Sequence, residues 1–149
     1  MLLALSKASG SDGVLEDVHF NYRMVDYYER PVNQAPPRCG EHRDFGTLTV
    51  IFAEQKGLEV CVDGKWRPLQ VAARGSAHVV FGWCTEIRSN GRISACLHRV
   101  ADDNIGSSAV DGGGNVPRRL AAVLFIAPKY SSTSFFCSTC NWIQIELHI

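Results

Sequence analysis

Along the chain, short runs of apolar and β-branched residues recur between clusters of turn residues: TLTVIFA, LEVCV, WRPLQV, HVVFGW, ISACLHRV and LAAVLFIA. Runs of this length, bounded by Gly, Asp, Asn and Pro, predict strands rather than helices. VDGKW at residues 62–66 predicts a hairpin, because Asp-Gly accepts the positive φ of a tight turn, and SNGR at 89–92 predicts a second. Residues 1–9 predict the end of a helix, with Leu2, Leu3 and Leu5 on its apolar side and GSDG at 10–13 stopping it. ADDNIGSSAVDGGGN has no periodicity and is expected to be a mobile surface loop. Many short strands with turns between them make a mainly β chain, folded as a sandwich, barrel or jelly roll.

The length of 149 residues suits a single domain. Fifteen basic residues balance fifteen acidic ones, so no overall field points to nucleic acid or to an anionic membrane, and small-molecule chemistry fits better. The apolar opening MLLAL is too short to span a membrane and lacks the pattern of a signal peptide, which makes a cytoplasmic chain the expectation. Cysteines stand at positions 39, 61, 84, 96, 137 and 140, several inside strand-like runs, so reduced thiols are expected. Cys137 and Cys140 form a lone CxxC without the two further ligands a zinc site needs.

The candidate chemistry lies in GEHRDFGTLTV, residues 40–50. In extended chain, positions i and i+2 share a face, so His42 and Asp44 can converge on one object. A metal ion is one candidate, and His98 in LHRV is the best third ligand, ahead of His19, His78 and His148. Two histidines and one carboxylate on one side of a metal make the facial triad of non-haem Fe(II) oxygenases, which leaves coordination positions open for reactants. His19 and His78 read as structural histidines, and Trp66 and Trp83 as core fillers.

In order and spacing, GEHRDFGTLTVIF, KGLEVCVDGKWRPL, VVFGW, SNGRISACLHRV and PRRLAAVLFIAP resemble the isopenicillin N synthase-like family of Fe(II)/2-oxoglutarate dioxygenases. The resemblance covers most of residues 1–128, without most of the helical region that the family carries before its jelly roll, and leaves residues 129–149 as a divergent tail. It implies a double-stranded β-helix, or jelly roll, with His42, Asp44 and His98 as iron ligands. It also implies that Arg119 grips the far carboxylate of 2-oxoglutarate and that Tyr28, from the N-x-Y motif written here as Asp26-Tyr27-Tyr28, helps bind it. A guanidinium suits that role because its planar fork donates two parallel hydrogen bonds to a carboxylate. The serine of the family's R-x-S motif is Ala121 here, which removes a hydroxyl donor.

The implied activity is oxidation of a small organic molecule by hydroxylation, desaturation or ring closure. It uses Fe(II), molecular oxygen and 2-oxoglutarate, with ascorbate as a reductant, and releases succinate and carbon dioxide. Two alternatives stand beside it: an Fe(II) oxidase that does not use 2-oxoglutarate, and an inactive truncated fragment that only binds metal. The sequence identifies neither the substrate nor the oligomeric state.

Overall fold

The structure is a computed structural model that describes residues 18–31, 37–102 and 115–129, together with the backbone of 134–137 and 140–144. The expected helix over residues 1–9 and most of the expected loop, residues 103–114, lie outside the described residues.

Two four-stranded antiparallel sheets form the body of the domain. The larger has the order β1-β10-β4-β7, made of β1 (Val18–Tyr27), β10 (Arg119–Pro128), β4 (Leu48–Ala53) and β7 (His78–Phe81). The smaller has the order β3-β8-β5-β6, made of β3 (Cys39–His42), β8 (His98–Val100), β5 (Leu58–Val62) and β6 (Lys65–Pro68). Two short ribbons complete the described strands, β2 (Arg30–Pro31) with β9 (Asn115–Val116), and β11 (Ser134–Cys137) with β12 (Cys140–Gln144). Ile51 and Val80 of the larger sheet meet Leu58 and Val100 of the smaller in one buried cluster, so the sheets pack face to face as a jelly roll.

The apolar runs form strands where alternation places alternate residues in that core. The Asp63-Gly64 turn joins β5 to β6 with φ of 50° and 72°, the left-handed pair that the tight hairpin demands. SNGR behaves differently from expectation. Asn90 and Gly91 do take positive φ, 52° and 76°, but they end a short helix, α1 (Trp83–Arg88), and do not join two strands. The run HVVFGW therefore stops being a strand at Phe81, and of ISACLHRV only His98–Val100 is strand.

The switch from strand to helix at Gly82 has a steric cause. A Cβ on Gly82 would collide with the backbone carbonyl oxygen of Gly46 and lie 2.7 Å from that of Asp44. The bare glycine lets the start of α1 clamp the Asp44–Thr47 turn: Trp83 N–H donates to Asp44 O at 2.8 Å, and Gly82 N–H to Thr47 O at 3.1 Å. Gly82→Ala must displace this turn, at an expected cost of about 1–3 kcal/mol, with weaker metal binding as a second effect. Thermal melting and an Fe(II) titration check it, and a variant that matches the parent in both would show that the turn yields freely.

Trp66 and Trp83 are not core residues. Trp66 is half-buried under the Arg99 guanidinium, 4.3 Å from its ring, and Trp83 is 36% exposed beside Arg43. Each apolar ring carries a cation on its open face, which suits a surface position. The described cysteines 39, 61, 84 and 96 are free thiols. The backbone of the tail pairs Cys137 with Cys140 across a hairpin, while their side chains lie outside the described residues.

Candidate metal centre

β3 ends on His42, and the chain then turns through Asp44 before β4 begins at Leu48, so the pair straddles a strand end and a turn rather than lying in one extended run. One register shift sets the histidine's direction. Cys39 pairs with Val100 and His42 with His98, so three residue steps on β3 oppose two on β8. Without that extra residue Glu41 would face His98; with it, His42 does. The two imidazole rings lie 4.3 Å apart, centroid to centroid.

Candidate ligand atoms from His42, Asp44 and His98 all lie within 4.8 Å of one another. Asp44 and His98 are buried, and the His42 side chain is 41% exposed. Each imidazole is oriented by a backbone carbonyl at Nδ1: Gly40 O at 2.8 Å for His42 and Cys96 O at 2.9 Å for His98. The Nε2 atoms consequently face the carboxylate, 3.5 Å from Asp44 Oδ1 and 3.9 Å from Oδ2 respectively. An Nδ1–H committed to a carbonyl leaves the Nε2 lone pair for a metal. Arg43, between the two motif residues, points away and donates to Ala95 O at 3.2 Å.

In the metal-free chain the Cys39 thiol, the Gly40 carbonyl and the Asp44 carboxylate hold the His42 pKa up at about 9 against the opposing effect of burial. A metal must displace that proton, so Fe(II) affinity is expected to rise about tenfold per pH unit up to about 9. Anaerobic titrations at several pH values test this, and a flat profile would show that His42 is already neutral.

Thr49 is not legible as a site residue in the sequence because it sits inside the apolar run of β4. It is 1% exposed and donates its hydroxyl to Asp44 Oδ2 at 2.5 Å. That bond fixes the carboxylate and leaves Oδ1 toward His42. Thr49→Val keeps the shape and loses the donor, with an expected fall in Fe(II) affinity of about 10–100-fold. An unchanged titration would show that Asp44 needs no such support.

The triad opens into a cavity of 280 Å³ between the sheets, just under the range of about 300–1,000 Å³ common for small-molecule sites. Val25, Ile51, Leu58, Val100 and Val123 form apolar walls. At one end lie Arg119, Tyr27 and Ala121, brought together by the pairing of Tyr27 with Arg119 and the alternation of β10. Arg119 is 2% exposed, donates Nε–H to Lys56 O at 3.1 Å, and has no carboxylate partner among the described residues. Burial pushes its pKa below the ordinary guanidinium value; Tyr27 opposes that shift and Arg38 adds to it.

Tyr28 does not reach this cavity. It is 74% exposed, with the Arg118 guanidinium 6.0 Å from its ring, while the ring of Tyr27 lies 5.4 Å from the Arg119 guanidinium. Strand alternation is the reason: Tyr27 shares the inward face with Val25 and Arg23, and its neighbour does not. The adjacent Arg118 forms a two-pronged ion pair with Asp26 at the surface, at 2.8 and 2.5 Å. His19 is exposed and His78 half-buried, and neither joins the triad.

Residues 18–138 match the model of the 2OG-Fe(II) oxygenase superfamily. The chain is 32% identical over 90 residues to 1-aminocyclopropane-1-carboxylate oxidase 1 of Arabidopsis thaliana, covering 59% of this chain and 29% of that protein. It is 41% identical over 61 residues to gibberellin 20 oxidase 2 of Oryza sativa subsp. indica, covering 40% of this chain and 15% of that protein. Among solved structures, a full-length Neurospora crassa protein in complex with alpha-KG and 5-formyluracil superposes with a TM-score of 0.73 at 23% identity, over 87% of this chain and 43% of that one. The 2-oxoglutarate complex of dioxygenase for auxin oxidation 1 from Arabidopsis thaliana gives 0.70 at 19%, over 85% and 46%. At these identities the structural likeness establishes the fold. The chain spans less than a third of the curated relatives it matches. With the family model matched over most of its length, the chain belongs to the 2OG-Fe(II) oxygenase superfamily.

Proposed function

We propose that this chain is the catalytic jelly roll of an Fe(II)- and 2-oxoglutarate-dependent dioxygenase that oxidises a small organic molecule. The observation that carries the reading is one cavity holding both the His42–Asp44–His98 cluster and a buried arginine with no carboxylate partner among the described residues. Two imidazoles and a carboxylate fit Fe(II), a metal of intermediate softness. A buried guanidinium without a counterion fits the distal carboxylate of 2-oxoglutarate.

Bound iron and 2-oxoglutarate supply oxygen activation, coupling decarboxylation of the cosubstrate to succinate with oxidation of the substrate. The chain's own part is positional. His42 and His98 present Nε2, Gly40 and Cys96 hold the rings, and Thr49 holds Asp44. Arg119 anchors the cosubstrate, and the Tyr27 phenol beside it supplies a hydroxyl at the end of the cavity where Ala121 has none. Burial keeps that phenol protonated by raising its pKa, with Cys39 acting in the same direction, so it remains a donor. Val25, Ile51, Leu58 and Val123 exclude water.

The test is to add Fe(II) and then 2-oxoglutarate to the purified protein without oxygen and to record the visible spectrum. A weak charge-transfer band that is absent from His42→Ala supports the reading. A folded protein that binds Fe(II) without producing the band overturns the cosubstrate assignment.

A further inference from the structure

We propose that Glu86 and Arg43 are positioning residues for the metal centre: they grip the two backbone groups of Ala95 and so fix the His98 arm of the site relative to Asp44. The inference rests on the proposed function only where metal affinity is the readout.

His98 opens β8, and the stretch before it, residues 92–97, belongs to no strand. The course of that stretch decides where the His98 imidazole points, because Cys96 O orients the ring at 2.9 Å. Cys96 N–H reaches Phe81 O at 2.8 Å, and Leu97 O accepts Cys61 N–H at 2.9 Å. Ala95 is held differently. Its N–H donates to the Glu86 carboxylate at 2.5 Å, and its carbonyl accepts Arg43 Nε–H at 3.2 Å, so both of its backbone groups are bonded to charged side chains. Ala95 is buried, and a lost partner would leave a polar backbone group with little access to water. Bonds with a charged partner are also the stronger kind.

The two grips close into a circuit through α1. Trp83 and Glu86 stand three residues apart in that helix and therefore share a side of it. The Trp83 ring lies 5.6 Å from the Arg43 guanidinium. Contacts thus run from Trp83 to Arg43, from Arg43 to Ala95, and from Ala95 to Glu86, back in the helix. Arg43 is the residue between His42 and Asp44 in the chain, and Trp83 N–H already donates to Asp44 O. One short helix is bonded to both arms of the metal centre. The circuit sets the gap between those arms, which His98 Nε2 and Asp44 Oδ2 span at 3.9 Å. It also gives the exposed Trp83 a task that packing does not.

The test has two readouts. In the metal-free protein, long-range proton–nitrogen correlation spectra show which His98 nitrogen carries the proton, and an anaerobic Co(II) titration gives metal affinity. Glu86→Met removes the acceptor. It is expected to scramble the Nδ1–H tautomer of His98 and to lower Co(II) affinity about tenfold, the smaller end of the loss when a support behind a ligand is removed. Glu86→Gln keeps an uncharged acceptor and should stay within about threefold of the parent. Arg43→Met should match Glu86→Met, and the double variant should lose less than the product of the two single losses, because both act through Ala95. Ile126→Val is the control for stability alone: it trims a buried side chain that does not line the cavity. That variant should melt lower and keep both readouts at parental values. Parental tautomer and affinity in Glu86→Met overturn the inference, as does an equal loss in Ile126→Val or single losses that simply multiply. If the parent takes up no Co(II), the proposed function falls, and the tautomer readout still decides this inference.

Discussion

Replacing Asp44 by alanine is expected to abolish turnover and to lower Fe(II) affinity by more than about 100-fold, since loss of a partner one bond further out already costs about 10–100-fold. The carboxylate does two things no neighbour can take over. It is the sole anion among the three ligands, so without it a divalent ion meets two neutral imidazoles; it also receives the buried Thr49 hydroxyl. Its main-chain carbonyl still accepts Trp83 N–H in the variant, so the turn itself is retained. Folding and metal binding therefore separate: a cooperative melt with no Fe(II) uptake is the expected pair of results. Near-parental iron content and turnover would refute the ligand assignment.

Arg119→Met is expected to leave Fe(II) binding intact and to raise the 2-oxoglutarate requirement by about 100-fold or more, the loss of two charge-assisted hydrogen bonds. It also carries a stability signature. A guanidinium that is 2% exposed and has no carboxylate partner among the described residues is costly to bury, and an unbranched apolar side chain of similar length is not. The variant should melt at or above the parent's temperature while binding cosubstrate that much more weakly. A residue kept for structure would give the opposite, a large drop in melting temperature. Equal loss of iron in Arg119→Met and Asp44→Ala would show that Arg119 supports the metal site.

The legible parts of this chain are those where one physical rule acts alone. β4, β5 and β10 read as strands because their β-branched and aliphatic runs lie in or against the core, and Asp63-Gly64 reads as a turn because its backbone needs positive φ. The cluster of His42, Asp44 and His98 is readable from motif order and spacing. β1 is not, because its polarity is inverted. Phe20, Tyr22 and Met24 face outward at 53%, 61% and 66% exposure, while Arg23 and Tyr27 face the cavity. A rule that puts apolar side chains inside cannot find a strand whose inner face lines a polar site.

The same limit explains Tyr27 and α1. Which tyrosine enters the cavity depends on the pairing of β1 with β10, a contact between residues about ninety positions apart. The helix after β7 depends on Gly82 meeting Gly46, again a tertiary contact. Thr49 reads as one more β-former in an apolar run, and only the position of Asp44 gives its hydroxyl a task.

The extra residue between Cys39 and His42 makes the site sensitive to parity. Length changes at the tip of the β5–β6 hairpin would lengthen a loop and leave the interior as it is. Within β3, one residue more or fewer reverses which side chains point inward, exchanging His42 for a neighbour, whereas a change of two restores the facing. Descendants of this chain are therefore free to vary the composition of that strand far more than its count. Odd and even insertions there have opposite fates although they differ by a single codon.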